Sequence, residues 1–166
     1  MTTLLFAHGL ESGPIGRKSQ ALIDADYEVI APDCRGQDLA TRIDTLVETI
    51  ERASSPPVLV GSSFGGIAGL VAAMVAASRG HSVPALLLCA PALQLPPPPG
   101  TVEQLGRPAP TNIVHGTRDE VNPNERSRSY VREHGGDLRE VDDEHGLGGP
   151  GLAVILAAVR QLAGAP

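Results

Sequence analysis

The sequence predicts an α/β protein: a three-layer α/β/α sandwich built on a mostly parallel sheet of about six strands. Three observations predict it. Short apolar runs of strand length alternate along the chain with segments of helical periodicity. Two of those runs, Val58-Leu59-Val60 and Leu86-Leu87-Leu88, are apolar without interruption, as strands covered on both faces of a parallel sheet are. The 166 residues, 42% of them hydrophobic, suffice for one core and a single domain spanning 1–166, and no internal repeat is visible.

The elements follow in order. Candidate strands are Thr3–Ala7, Glu28–Ala31, Pro57–Val60, Ala85–Cys89, Asn112–His115 and Leu138–Val141. A weak helical pattern covers about Arg17–Ala25. Leu39, Ile43, Leu46, Val47 and Ile50 form one apolar face behind Asp38, a suitable N-cap. Ile67, Leu70, Val71, Met74 and Val75 form the face of the next helix. Pro123 at a first helical position, with Asn122 as its cap, opens a helix that Gly135-Gly136 closes; Pro150 opens the last, which runs to about Ala163. Gln94–Pro110, with the run Pro96 to Pro99, is the one long irregular connection. Strand–helix alternation of this kind brings right-handed crossovers and places ligands outside the carboxyl ends of the strands.

Charge and composition exclude several classes. A formal net charge of −6 repels phosphate backbones and anionic lipid, so neither a nucleic acid nor a membrane is an expected partner. Phe6, Phe64, Tyr27 and Tyr130 are too few aromatics for a base-stacking platform. Cys34 and Cys89 fit no paired-cysteine motif and read as free, buried thiols of a reducing compartment. With no apolar run approaching the ~20 residues of a membrane span and no basic stretch ahead of an apolar one at the N-terminus, the expected location is the cytoplasm.

The sharpest chemical signal is Gly61-Ser62-Ser63-Phe64-Gly65. It is G-x-S-x-G between a strand and a helix, the setting in which a tight turn pushes a serine hydroxyl out over the sheet. Ser63 is the central serine; Ser62 is excluded, because Val60 and Phe64 flank it at two residues' distance. A serine needs a base held by an acid to become a nucleophile. Asp119, past the fifth strand, and His145, between the last strand and the last helix, stand in the order serine, acid, histidine. Asp142, Asp143 and Glu144 crowd His145, and one of them is an alternative orienting acid. The N–H groups of Phe64, at a helix start, and Leu10, in His8-Gly9-Leu10, are the candidate donors to an oxyanion. His8 reads as a brace of its loop and His115 as a structural residue. Arg17, Lys18, Arg35 and Arg118 collect at the same rim; Arg17 and Arg35 are candidate contacts for an anionic substrate, against the alternative of pairing with nearby acids.

Other motifs fail in context. Gly146-Leu147-Gly148-Gly149-Pro150-Gly151 satisfies G-x-G-x-x-G, but no βαβ unit follows it. No Gly-Lys-Ser or Gly-Lys-Thr follows a glycine loop as a phosphate-binding loop requires, and His8, His115 and His145 with the acids near them offer no ligand pair at the usual close metal-binding spacing.

Taken together, His8-Gly9, Pro32-Asp33-Cys34-Arg35-Gly36, Gly61-Ser62-Ser63-Phe64-Gly65, His115-Gly116-Thr117-Arg118-Asp119 and His145-Gly146 resemble a small bacterial serine hydrolase, esterase-like, of the α/β-hydrolase superfamily. The resemblance implies strand order 2-1-3-4-5-6, nucleophile Ser63, acid Asp119, base His145 and an oxyanion hole at Leu10 and Phe64. It implies hydrolysis of a small ester or thioester substrate through an acyl-enzyme, with no cofactor and no metal. The first two strands of the larger family form and its usual lid have no counterpart here, so the expected fold is minimal and lidless. Other chemistry on the same fold (acyl transfer, amide hydrolysis, a lyase step) and a non-catalytic binding module remain as alternatives.

Overall fold

Six strands form where the apolar runs lie: β1 (Thr3–Ala7), β2 (Glu28–Ile30), β3 (Val58–Ser62), β4 (Leu86–Cys89), β5 (Thr111–Gly116) and β6 (Asp137–Val141). Five helices join them: α1 (Arg17–Asp24), α2 (Leu39–Arg52), α3 (Phe64–Ser78), α4 (Asn124–His134) and α5 (Pro150–Ala163). The structure is a computed structural model that describes residues 2–166. All the strands pair in parallel, in the order β2-β1-β3-β4-β5-β6.

Pleating sorts the apolar side chains into two layers, because neighbours along a strand face opposite ways. Leu5, Leu59, Leu86, Leu88 and Ile113 pack against α2, α3 and Tyr130 of α4. Leu4, Phe6, Val58, Val60, Leu87 and Val114 pack against Leu22 of α1 and Ile155, Ala158 and Val159 of α5. The uninterrupted apolar runs thus feed both layers. The registers Leu5↔Leu59, Val60↔Leu87 and Leu88↔Ile113 align the centre of the sheet. Cys34 and Cys89 are buried free thiols.

The chain leaves β1 for one side of the sheet and returns to its other side as β3. The strand order reverses there, so a crevice opens beyond the carboxyl ends of β1 and β3. Residues 90–110 contain no helix or strand. They are tied down instead: Ala92 and Leu93 enter the core, the Tyr130 hydroxyl donates to Gly106 O (2.8 Å), and Gly106 N–H donates to Met74 Sδ (3.3 Å). No helix of the described residues is long and apolar enough to cross a membrane.

Most elements stand within a residue or two of their expected bounds. Asp38 caps α2 as its position suggests, accepting from Thr41 N–H at 2.8 Å. One cap is displaced. Pro123, not Asn122, is the N-cap of α4, which has no side-chain cap bond, because the Asn122 amide is engaged across the crevice.

Candidate active site

Ser63 sits at the switch point, between the end of β3 and the start of α3. Its backbone is at φ 56°, ψ −114°, a left-handed φ that L-residues adopt at a cost of about 1–3 kcal/mol. The turn is held from both sides: Ser63 N–H donates to Cys89 O (2.9 Å), and Ser63 O accepts from Gly66 N–H (2.9 Å) and Ala92 N–H (3.1 Å). The flanking glycines are required by space. A Cβ on Gly61 would lie 2.7 Å from Gly65 O, and one on Gly65 would lie 2.1 Å from Ala7 O and 2.5 Å from His8 O. The first turn of α3 therefore rests directly on the end of β1, which no side chain at residue 65 would allow.

Asp119 and His145 come together beside it. His145 Nδ1 lies 2.8 Å from Asp119 Oδ2. A carboxylate only accepts, so in the neutral ring the proton is on Nδ1 and Nε2 is free to take another. The Asp119 side chain is fully buried and that of His145 is 27% exposed. Asp119 Oδ1 accepts from Val121 N–H (2.8 Å) and Asn122 N–H (2.9 Å), and Oδ2 also meets His115 Nε2 at 3.0 Å. Burial alone would push the Asp119 carboxyl up, but these hydrogen bonds and the charge of His145 outweigh it and hold the group below the usual carboxylate range. The rival acids are occupied elsewhere. Asp143 accepts from the N–H groups of Glu144, Gly149 and Gly151, while Asp142 and Glu144 pair with Arg118.

Ser63 and His145 line one cavity of about 700 Å³, with Leu10, Phe64, Ala92, Leu95 and Val121 as its apolar wall. Ser63 Oγ makes no hydrogen bond to His145; among the described residues its partner is Asn122 Nδ2, at 3.2 Å. The Asn122 amide is oriented without ambiguity. Nδ2 also donates to Ala90 O (2.8 Å), and Oδ1 accepts from Gln94 Nε2 (2.8 Å). With Oγ accepting from Asn122, its own O–H is left to donate towards a base, a contact that commonly tightens only with substrate bound. Sequence reasoning reads Asn122 as a helix cap, since Asn-Pro before a helix has that local signature; nothing local signals a contact across 59 positions.

The loop after β1 is braced from beneath. His8 Nε2 accepts from Cys34 N–H (2.9 Å), which leaves its proton on Nδ1, 2.8 Å from Gly9 O. Arg42, buried on α2, donates from Nη1 to His8 O at 2.7 Å and Gly9 O at 3.3 Å and lies 4.9 Å from the centroid of the Phe64 ring. These bonds fix the two carbonyls. Among the described residues, the N–H groups of Leu10 and Phe64 have no protein acceptor, and both residues line the cavity. Arg42 carries no motif and is invisible to sequence reasoning, although it touches both candidate oxyanion segments. The two arginines singled out by sequence part company. Arg35 forms a bidentate pair with Asp33, closing to 2.6 Å, and lies outside the cavity lining; Arg17 lines an adjoining cavity.

His115 is fully buried and His8 nearly so. Burial is the main cause that holds both imidazoles below the ordinary histidine value of 6.5. The unfolded chain therefore takes up protons at these two positions before the folded one does. Stability is fully present above about pH 6.5 and is lost as pH falls from there through the lowered folded values. Tm is expected to be lower at pH 5.5 than at pH 7.5; equal values at the two would contradict this reading.

Comparison with known proteins agrees with the fold. A family model described as "Alpha/beta hydrolase family" matches residues 4–164. No curated protein matches the sequence. Among solved structures, a hydrolase of the alpha/beta superfamily from Xanthomonas campestris pv. campestris aligns over 98% of this chain and 96% of its own, at 29% identity and TM-score 0.76. The monoacylglycerol lipase of Paleococcus ferrophilus aligns over 99% and 95% at 17% identity and TM-score 0.76. A pyrethroid hydrolase from Sphingobium faniae aligns over 99% and 98% at 15% identity and TM-score 0.74.

Proposed function

The chain belongs to the alpha/beta hydrolase family, and from that premise we propose that it is a serine hydrolase which cleaves small carboxylic esters or thioesters through an acyl-enzyme. One observation carries the reading. Ser63 is held at a strained turn in the same cavity as His145, whose other ring nitrogen is fixed by buried Asp119.

The proposed steps are these. Ser63 Oγ attacks the carbonyl carbon as its proton passes to His145 Nε2. The carbonyl π pair moves onto oxygen, where the N–H groups of Phe64 and Leu10 receive it; one such donor is worth about 2.7–4 kcal/mol. Asp119 stabilises the imidazolium without taking its proton. The C–O or C–S bond then breaks, and the leaving alcohol or thiol departs with the proton from His145. Water enters, gives a proton to His145 and attacks the acyl carbon; the acid leaves and Ser63 recovers its hydrogen. The α3 N-terminus favours negative charge at this point.

The connection at 90–110 has no helical lid, which supports short acyl groups over long ones. A lipase and a pyrethroid hydrolase with this fold add support for an ester substrate. The test is a panel of nitrophenyl esters and thioesters of graded acyl length. Hydrolysis is expected, with kcat/KM highest at the short end and a burst of leaving group equal to the enzyme present. Failure on every member, together with no covalent labelling by a fluorophosphonate, would sink the reading and favour a non-catalytic module.

A further inference from the structure

We propose that the serine cavity contains an anion subsite, formed by Lys18 with Arg17, and that the favoured esters carry a second group bearing a carboxylate or a phosphate. What is cleaved rests on the hydrolase reading above; what is bound does not.

Lys18 is the sole lysine among 13 basic residues, and it stands in the wall between two cavities. The serine cavity and an adjoining one of about 340 Å³ share Ser12, Lys18, Ser62 and Gly146. Arg17 lines the adjoining cavity with its guanidinium close over Gly148, where even a Cβ would collide with it. The Lys18 ammonium donates to Gly146 O at 2.8 Å, one residue past His145. An ammonium has three donors, so two remain for a ligand.

Neither cation has a carboxylate partner among the described residues. Outside the two cavities Arg35, Arg52, Arg79, Arg118, Arg128 and Arg132 are each matched to an acid, and Arg107, Arg126, Arg139 and Arg160, which have no ion pair among the described residues, line neither cavity. Burial is the main cause that pushes the Lys18 ammonium below its ordinary value; the charge of Arg17 adds to it, and the charge of Asp143 opposes it without reversing the direction. A partly desolvated charge without a counter-charge is unfavourable, and a ligand that brings the anion relieves it.

Acids nearby do not do the same work. Glu11 lines the serine cavity but forms no ion pair with Lys18, and Asp143 is engaged by three backbone N–H groups. On a chain of net charge −6, two cations without an ion-pair partner at the wall of the serine cavity favour an anionic substrate.

Having one lysine makes the test direct. Growth on [ε-¹³C]lysine labels Lys18 alone and leaves its charge and its three N–H donors in place; the spectrum of Lys18→Gln assigns the signal. The labelled Ser63→Ala protein is titrated with monomethyl succinate, with inorganic phosphate and with the neutral isostere methyl butyrate. A saturable shift of the Lys18 signal is expected with an anion and not with the neutral ester, weakened by Arg17→Gln; the two anion arms tell a carboxylate from a phosphate. In kinetics with active enzyme, Lys18→Gln, whose amide can still donate to Gly146 O, is expected to lower the ratio of kcat/KM for anionic over neutral matched esters at least about tenfold. No shift with either anion and an unchanged ratio would overturn the subsite while leaving the hydrolase reading standing. A shift without hydrolysis of any ester would do the reverse.

Discussion

Ser63→Ala is expected to lower kcat for a short-chain ester by roughly a million-fold, to the level left by binding and the oxyanion donors alone. The loss follows from where Ser63 stands. Its Oγ stands at the strained turn that lines the cavity, and in the proposed mechanism removing it leaves His145 with no attached nucleophile to activate. The neighbour is the internal control. Ser62 ends β3 with its backbone in the sheet ladder, paired with Cys89, so Ser62→Ala protein is expected to keep its covalent labelling by a fluorophosphonate while Ser63→Ala loses it. Labelling of Ser63→Ala at the wild-type rate would move the nucleophile elsewhere. Because alanine accepts the turn no worse than serine does, thermal unfolding should show both variants folded.

Asp119→Asn is the second large effect, expected at about 10⁴-fold in kcat. Asp119 receives four donors, two backbone N–H groups on Oδ1 and the rings of His115 and His145 on Oδ2. An asparagine that keeps its oxygen towards the backbone turns its NH₂ towards both rings. His145 must then present a bare Nδ1 to that amide and carry its proton on Nε2, the nitrogen that has to be free to act as a base. The measurement is kcat on the best ester of the panel, with circular dichroism to confirm the fold. Activity within tenfold of wild type would return the orienting role to Asp142, Asp143 or Glu144. Their present engagement with Arg118 and with the start of α5 argues against that result.

What was legible in the sequence was local or ordinal. Gly61 and Gly65 are readable because their need for space arises within a few residues, at the contact between α3 and β1. The strands are readable because two-sided burial leaves uninterrupted apolar runs at Val58-Leu59-Val60 and Leu86-Leu87-Leu88. The order of serine, acid and histidine is readable because each follows a strand. Contacts made across the fold are not. Asn122 has the local grammar of a helix cap, yet its amide spends its donors on Ser63 and Ala90. Arg42 stands among the core positions of α2, where a charged residue looks like a break in the pattern; only the assembled crevice shows it gathering the carbonyls of His8 and Gly9. Arg35 sits at the right rim by sequence, but Asp33, two residues away, holds it.

The left-handed bend at residue 63 is present in every copy of the molecule, with or without a substrate. At about 1–3 kcal/mol it takes a noticeable share of a folding margin that is commonly only about 5–15 kcal/mol. The same twist that exposes the hydroxyl makes the scaffold less durable than its tightly filled interior would allow. A descendant relieved of chemical duty would gain heat tolerance by letting that corner relax, so endurance and reactivity pull this chain in opposite directions at a single peptide.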